Sequence, residues 1–183
     1  MKKFSFWIKK IQNVKNTSYK FGSLSEEILN EMLRGIKEKL VMYKEEIFAV
    51  NKKDIALAEE KKLSKALIDR LTLNQKRFEE MLTGIDTVLS LASPINKVVS
   101  CWEREVKKNK FTVKKVAVPL GVIFMIYESR PNVTIDATVL CLKSGNCVIL
   151  RGGSETINTN KFLVKLIKLA VDDTWQKFNL SFS

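Results

Sequence analysis

The stretch VPLGVIFMIYESRPNVTIDATVLCLKSGNCVILRGGSETINTN, Val118 to Asn160, decides the fold. Gly121 to Tyr127 is a continuous apolar run between Pro119 and a charged loop, the pattern of a strand covered on both faces in a parallel sheet. Between Val133 and Ser144, Ile135, Val139 and Leu142 recur at helical spacing, and Gly145 supplies the stop. Cys147 to Leu150 reads as a second short buried strand. Two parallel strands joined by one helix form a βαβ crossover, which is right-handed in nearly all cases. The expected class is α/β.

The second strand runs into Arg151-Gly152-Gly153-Ser154-Glu155, and a helix with Ile157, Phe162, Leu163, Leu166 and Ile167 follows. Glycines let a backbone come close to a ligand, and Ser154 is placed to cap a helix whose N-terminus attracts phosphate. A tight strand-to-helix turn without a ligand accounts for the same residues equally well. No GxGxxG dinucleotide fingerprint occurs.

Working outward, the residues before this unit read as helices. Phe4, Trp7, Ile8, Ile11 and Val14 lie on one stripe between Met1 and Lys20, read as a core-facing helix rather than a membrane anchor. Ser23 stands three residues before Glu26, a capping-box spacing, ahead of the apolar series Ile28, Leu29, Met32, Leu33, Ile36 and Leu40. Helical spacing continues to about Lys61 with a break or bend near Tyr43. A short helix fits Lys65 to Leu71, and Asn74 caps another that Pro94 ends. Between about residues 100 and 118, a polar turn at Lys107 to Lys110 separates two partly alternating runs, the pattern of a β-hairpin edged with lysine. Such a hairpin either pairs with another subunit or stays solvated.

Composition narrows the function. The 183 residues are 45% hydrophobic, enough for one domain with a real core. The formal charge of +12 raises nucleic acid as a partner, but all except six of the 32 basic residues are lysines, whereas base readout and phosphate forks favour arginine. The lysines are scattered in pairs, so a solvated surface and no nucleic-acid partner are expected. With no histidine and no CxxC among Cys101, Cys141 and Cys147, neither a zinc site nor a Cys-His pair can be built. No apolar run approaches the ~20 residues of a membrane span. A reduced, cytoplasmic setting is expected.

The segments YESRPNVT (127–134) and LKSGNCVILRGGSE (142–155), with Asn51 to Val99 upstream, closely resemble the gamma-glutamyl phosphate reductases, members of the aldehyde dehydrogenase-like superfamily. The agreement covers most of residues 20 to 170. It implies helices plus the first βαβ crossover of a Rossmann-type cofactor domain, with the hairpin as an oligomerisation arm. On this reading residues 1–171 are a partial NADP-binding domain. The implied reaction is NADPH-dependent reduction of L-glutamyl 5-phosphate to the semialdehyde in proline biosynthesis, through a cysteine thioester.

Carried over residue by residue, Asn132 matches an asparagine that holds the developing oxyanion. Arg151 matches a basic residue at the adenosine end of NADP(H), with Gly152, Gly153 and Ser154 beside it. Arg130 is a candidate for a substrate carboxylate or phosphate, and an ion pair with Glu128 or Asp136 is its alternative. The family's nucleophilic cysteine lies further downstream, and Cys141 and Cys147 read as core thiols. Residues 172–183, DDTWQKFNLSFS, depart from the family. The expectation is an inactive gene fragment with an unrelated tail. The alternative is a non-catalytic nucleotide-binding or assembly module that complements a separate C-terminal half.

Overall fold

The computed structural model describes residues 2–106 and 109–180, without the side chains of residues 2–5 and 106. The expectations for Phe4, for the turn residues Lys107 and Lys108, and for residues 181–183 lie outside the described residues.

Five helices come first: α1 (Lys2–Phe21), α2 (Glu26–Met42), α3 (Lys44–Glu60), α4 (Lys65–Leu71) and α5 (Gln75–Ser90). An antiparallel hairpin follows, β1 (Val98–Val106) and β2 (Asn109–Val116), and then the crossover β3 (Val122–Ile126), α6 (Pro131–Lys143), β4 (Cys147–Arg151). A 3₁₀ turn at Ser154–Thr156 leads into α7 (Ile157–Lys177). Strands β3 and β4 are parallel, in a register that sets Val122 beside Cys147 and Ile126 beside Arg151.

The core is helical. Leu29, Met32, Leu33, Ile36 and Leu40, spaced along one face of α2, have no accessible surface. They meet Ile85 of α5, Ile135 and Val139 of α6, and Leu163 and Leu166 of α7. Each such side chain contributes about 1.5–3 kcal/mol on burial, against roughly 0–1 kcal/mol for an exposed ion pair such as Arg70–Glu128. The apolar stripes therefore hold the bundle together. Gly35 lets α2 approach α7, because a Cβ there would sit 3.4 Å from that of Ala170. Helix α7 runs unbroken across residue 171, and buried Trp175 stacks on Phe21 of α1 with ring centroids 5.6 Å apart.

Four local expectations change. Helix α1 forms, but Trp7, Ile8 and Ile11 are more than half exposed, since only its last turns, around Val14, Thr17 and Phe21, reach the body. The cap of α2 is Ser25, whose Oγ accepts from the Ile28 N–H, while Ser23 donates back to the Lys20 carbonyl. Glu26 is instead drawn to the Ser93 N–H and to Lys143. Helix α5 ends at Ser90, before Pro94 is reached. Strand β3 is covered on one face only, with Phe124 and Ile126 exposed on the other.

The break at Tyr43, the helix over Lys65–Leu71 and the Asn74 cap fall as expected, with Asn74 Oδ1 accepting from the Arg77 N–H at 2.9 Å. Gly145 adopts φ +70°, and a Cβ there would lie 2.8 Å from Ile95, so glycine is required to end α6. The hairpin strands are exposed along their described lengths and bond only to each other among the described strands. Glu105 faces Lys110, and Cys101 faces Lys114.

Candidate functional site

In open α/β sheets, ligands bind beyond the carboxyl ends of the strands. Both strands of the parallel pair release their loops at that end. From β3 come Tyr127 to Arg130 and then the first turn of α6, which starts at Pro131, two residues earlier than its apolar spacing suggested. Proline suits that position because its missing N–H would be unpaired there anyway. Asn132 thus sits inside the first helical turn, half-buried, its Nδ2 donating to Asp136 Oδ2 at 3.0 Å. That leaves the second amide hydrogen for another acceptor.

Arg130 and Asn132 line one cleft of about 530 Å³, whose far wall is α4 and α5. Neither expected ion-pair partner holds Arg130. Glu128 is taken by Arg70 at 2.8 Å, and Asp136 is hydrogen-bonded to Asn132. Arg130 is exposed and makes no ion pair among the described residues. Burial pushes the Asp136 carboxyl above its usual range, partly offset by the Asn132 bond.

The second loop, Arg151 to Ser154, leaves β4 beside the first, but its residues do not line the cleft. Arg151 is exposed at the strand end. A Cβ on Gly152 would meet Asn160 Nδ2 at 2.5 Å and the Tyr127 ring at 3.0 Å, and one on Gly153 would collide with Ser129. The glycine pair is therefore required by the chain's own packing. Ser129 donates to Glu155 at 2.6 Å and Ser154 to the same carboxylate at 3.0 Å, which hold Glu155 below the usual carboxylate range, Ser129 foremost.

Ser154 does not cap α7. The first turn of that helix is closed by Asp54, 1% exposed, reaching over from α3. Its carboxylate accepts from the Thr159 N–H at 2.8 Å, the Thr159 hydroxyl at 2.6 Å, the Asn158 side chain at 2.8 Å and the Asn158 N–H at 3.3 Å. A phosphate at this terminus would face a buried carboxylate, so the α7 dipole is already satisfied from within. Nearby, Asn51 accepts from the Leu73 N–H and donates to the Leu71 carbonyl and to Thr159, locking α3, α4 and α7 together. Sequence reading passed over Asp54 and Asn51, because a lone polar residue in an amphipathic helix looks solvent-facing. The tertiary partner, about a hundred positions away, gives no local signal.

Cys141 is buried, and Cys147 is half-buried. Desolvation raises both thiols, that of Cys147 up to about 11, so neither supplies a thiolate near neutrality. Cys101 is exposed on the hairpin strand β1. Among the described residues no group of His, Cys, Asp and Glu is arranged to hold a metal ion, and no helix is long and apolar enough to cross a membrane.

No family model matches the chain. Curated gamma-glutamyl phosphate reductases do: that of Heliobacterium modesticaldum is 48% identical over 162 residues, covering 88% of this chain and 38% of the relative. That of Halothermothrix orenii is 49% identical over 151 residues, 82% of this chain and 35% of the relative. Among solved structures, the gamma-glutamyl phosphate reductase of Thermotoga maritima superposes with a TM-score of 0.86 at 38% identity, over 91% of this chain and 39% of its own. A probable aldehyde dehydrogenase from Listeria monocytogenes, 13% identical with a TM-score of 0.56, shares the fold. The chain thus spans less than half the length of the relatives it matches. With the crossover, the cleft and these likenesses together, the chain is a homologue of the gamma-glutamyl phosphate reductases and has the aldehyde dehydrogenase-like fold of the part it spans.

Proposed function

We propose that this chain supplies the cofactor-side scaffold for NADPH-dependent reduction of L-glutamyl 5-phosphate to L-glutamate 5-semialdehyde and phosphate, a cytoplasmic step of proline biosynthesis. The observation that carries the reading is the 48% identity to a gamma-glutamyl phosphate reductase over 162 residues, a span long enough to include both loops at the strand ends. Arg151, exposed at the end of β4, fits the anionic adenosine end of NADP(H), and its planar fork suits a ribose phosphate. The turn of Gly152, Gly153 and Ser154 shapes that edge, whereas the Asp54-closed terminus of α7 takes no phosphate. When bound, the cofactor supplies hydride. Asn132 offers its free amide hydrogen to the oxyanion formed at the acyl carbon, and Arg130 holds a charged end of the substrate.

The thioester-forming cysteine is one that this chain does not itself supply, so the chain alone is inactive on this reading. Purified chain is expected to give no NADP reduction with glutamate semialdehyde and phosphate; clear turnover would overturn the inactivity. It is expected to bind NADPH, about tenfold more weakly once Arg151→Gln removes a charge-assisted contact.

A second reading has its own support in the uncovered Phe124 and Ile126 of β3. Here the chain is a non-catalytic assembly module that complements a separately encoded half, with the β1–β2 hairpin joining subunits. Absence of NADPH binding, together with recovery of activity on mixing with such a half, favours it.

A further inference from the structure

The lining of the Arg130–Asn132 cleft contains more charge than the roles above use. Three arginines, Arg70, Arg77 and Arg130, share it with three acids, Asp69, Glu80 and Asp136. Most of this charge is already spent. Arg77 donates to the Asp69 carboxylate at 2.9 Å and to the Thr72 carbonyl at 2.8 Å, and Arg70 pairs with Glu128 outside the cleft lining. Arg130 and Glu80 remain with no ion pair among the described residues. Asp136 uses only Oδ2 on Asn132 and turns Oδ1 toward Gly84 of α5. One free cation and two acids with spare capacity thus share a cleft without closing on one another.

Gly84 adds an independent point. A glycine inside a helix costs about 0.5–1 kcal/mol relative to alanine. Here no packing demands it, since a Cβ would meet nothing nearer than Asp136 Oδ1 at 3.8 Å. What the missing side chain provides is room in the cleft wall, directly opposite a carboxylate.

We infer that this cleft recognises the zwitterionic end of an α-amino acid, with Arg130 on the carboxylate and with Asp136 and Glu80 on the ammonium. The assignment rests on the proposed function for the identity of the amino acid, whose acyl end then points to Asn132. It makes Glu80, Asp136 and Gly84 specificity determinants that the strand-end loops alone do not suggest. A ligand with only negative charge is disfavoured by the acids, and one with only positive charge by Arg130.

The test is calorimetric titration of the full chain with three probes: L-glutamate, glutarate without the ammonium, and 4-aminobutyrate without the α-carboxylate. L-Glutamate is expected to bind, and each truncated probe to bind about tenfold more weakly, the loss of one charge-assisted contact. Arg130→Gln should remove the preference over 4-aminobutyrate, and Glu80→Gln should narrow the preference over glutarate. Both side chains are exposed and make no ion pair among the described residues, so the variants should melt like the parent. Equal binding of the three probes, no binding of L-glutamate, or unchanged preferences in both variants overturns the assignment. NADPH binding is titrated in parallel: if it depends on Arg151 while the cleft ignores L-glutamate, the reductase reading stands and the cleft assignment falls. If L-glutamate is selected but NADPH is not bound, the reverse holds.

Discussion

At the scale of single residues, the chain depends most on polar groups placed where polar groups are costly. Asp54 accepts four hydrogen bonds at 1% exposure, and removing it leaves two backbone N–H groups, a side-chain amide and a hydroxyl without their acceptor. Asp54→Ala should cost about 2–4 kcal/mol, combining a lost cap with unsatisfied buried donors. Asp54→Asn should recover less than half, because its NH₂ would oppose a donor; urea denaturation measures both. Glu26 gives a pH dependence. Its bond to buried Lys143 holds the carboxyl below the usual range. A depressed folded pKa stabilises above the unfolded value of about 4.3 and is lost as pH falls through the folded one. The parent should therefore lose more stability than Glu26→Gln between pH 6 and the acid limb, roughly below pH 4.5, as read from urea midpoints; parallel curves would refute the coupling. For the thiols, iodoacetamide on the native chain at neutral pH should label Cys101 alone by peptide mass spectrometry, with Cys141 and Cys147 reacting only in denaturant.

At the scale of elements, two glycines with opposite behaviour make the next prediction. Gly145 at φ +70° is hemmed in by Ile95 and Pro119, so Gly145→Ala should destabilise by about 1–3 kcal/mol. Gly84→Ala, whose Cβ would meet Asp136 Oδ1 at an ordinary contact distance of 3.8 Å within α5, should stabilise by about 0.5–1 kcal/mol. Thermal melts of the two variants should move in opposite directions. The elements also show what the sequence could carry. Helix boundaries set by local chemistry were legible: the Tyr43 break, the Asn74 cap, and Gly145 closing α6. The cap of α2 was not: Ser25 caps it, and Glu26 is bonded to Lys143, 117 positions away, so it closes no capping box with Ser23. A cap read by spacing fails when the glutamate has a distant partner. Arg151 and Asn132 were singled out by the family resemblance of their segments, while Glu80 and Gly84 became visible only when α5 was seen to wall the cleft.

At the scale of the whole molecule, periodicity tells which face of an element is apolar and leaves open whether anything covers it. Helix α1 and strand β3 were both read as buried, yet Trp7, Ile8 and Ile11 on the one and Phe124 and Ile126 on the other stand exposed. The reason is topological. The parallel sheet here has two strands, and among the described elements helices cover one of its faces; a sheet of this kind is stable when both faces and its edges are covered. Large exposed apolar side chains grouped on a sheet face are association surfaces. The chain on its own should therefore self-associate in a concentration-dependent way, seen by sedimentation velocity. Replacing Phe124 and Ile126 by lysine should reduce the association. The monomer should keep its thermal stability to within about 0.5 kcal/mol, since such exposed side chains contribute little to the core. The helical core around α2 and α7 is complete without that face, so the double variant should still melt cooperatively. A parent that remains monomeric at every concentration, or a double variant that associates as strongly, would show that the exposed face does not drive assembly and would shift attention to the apolar stripe of α1.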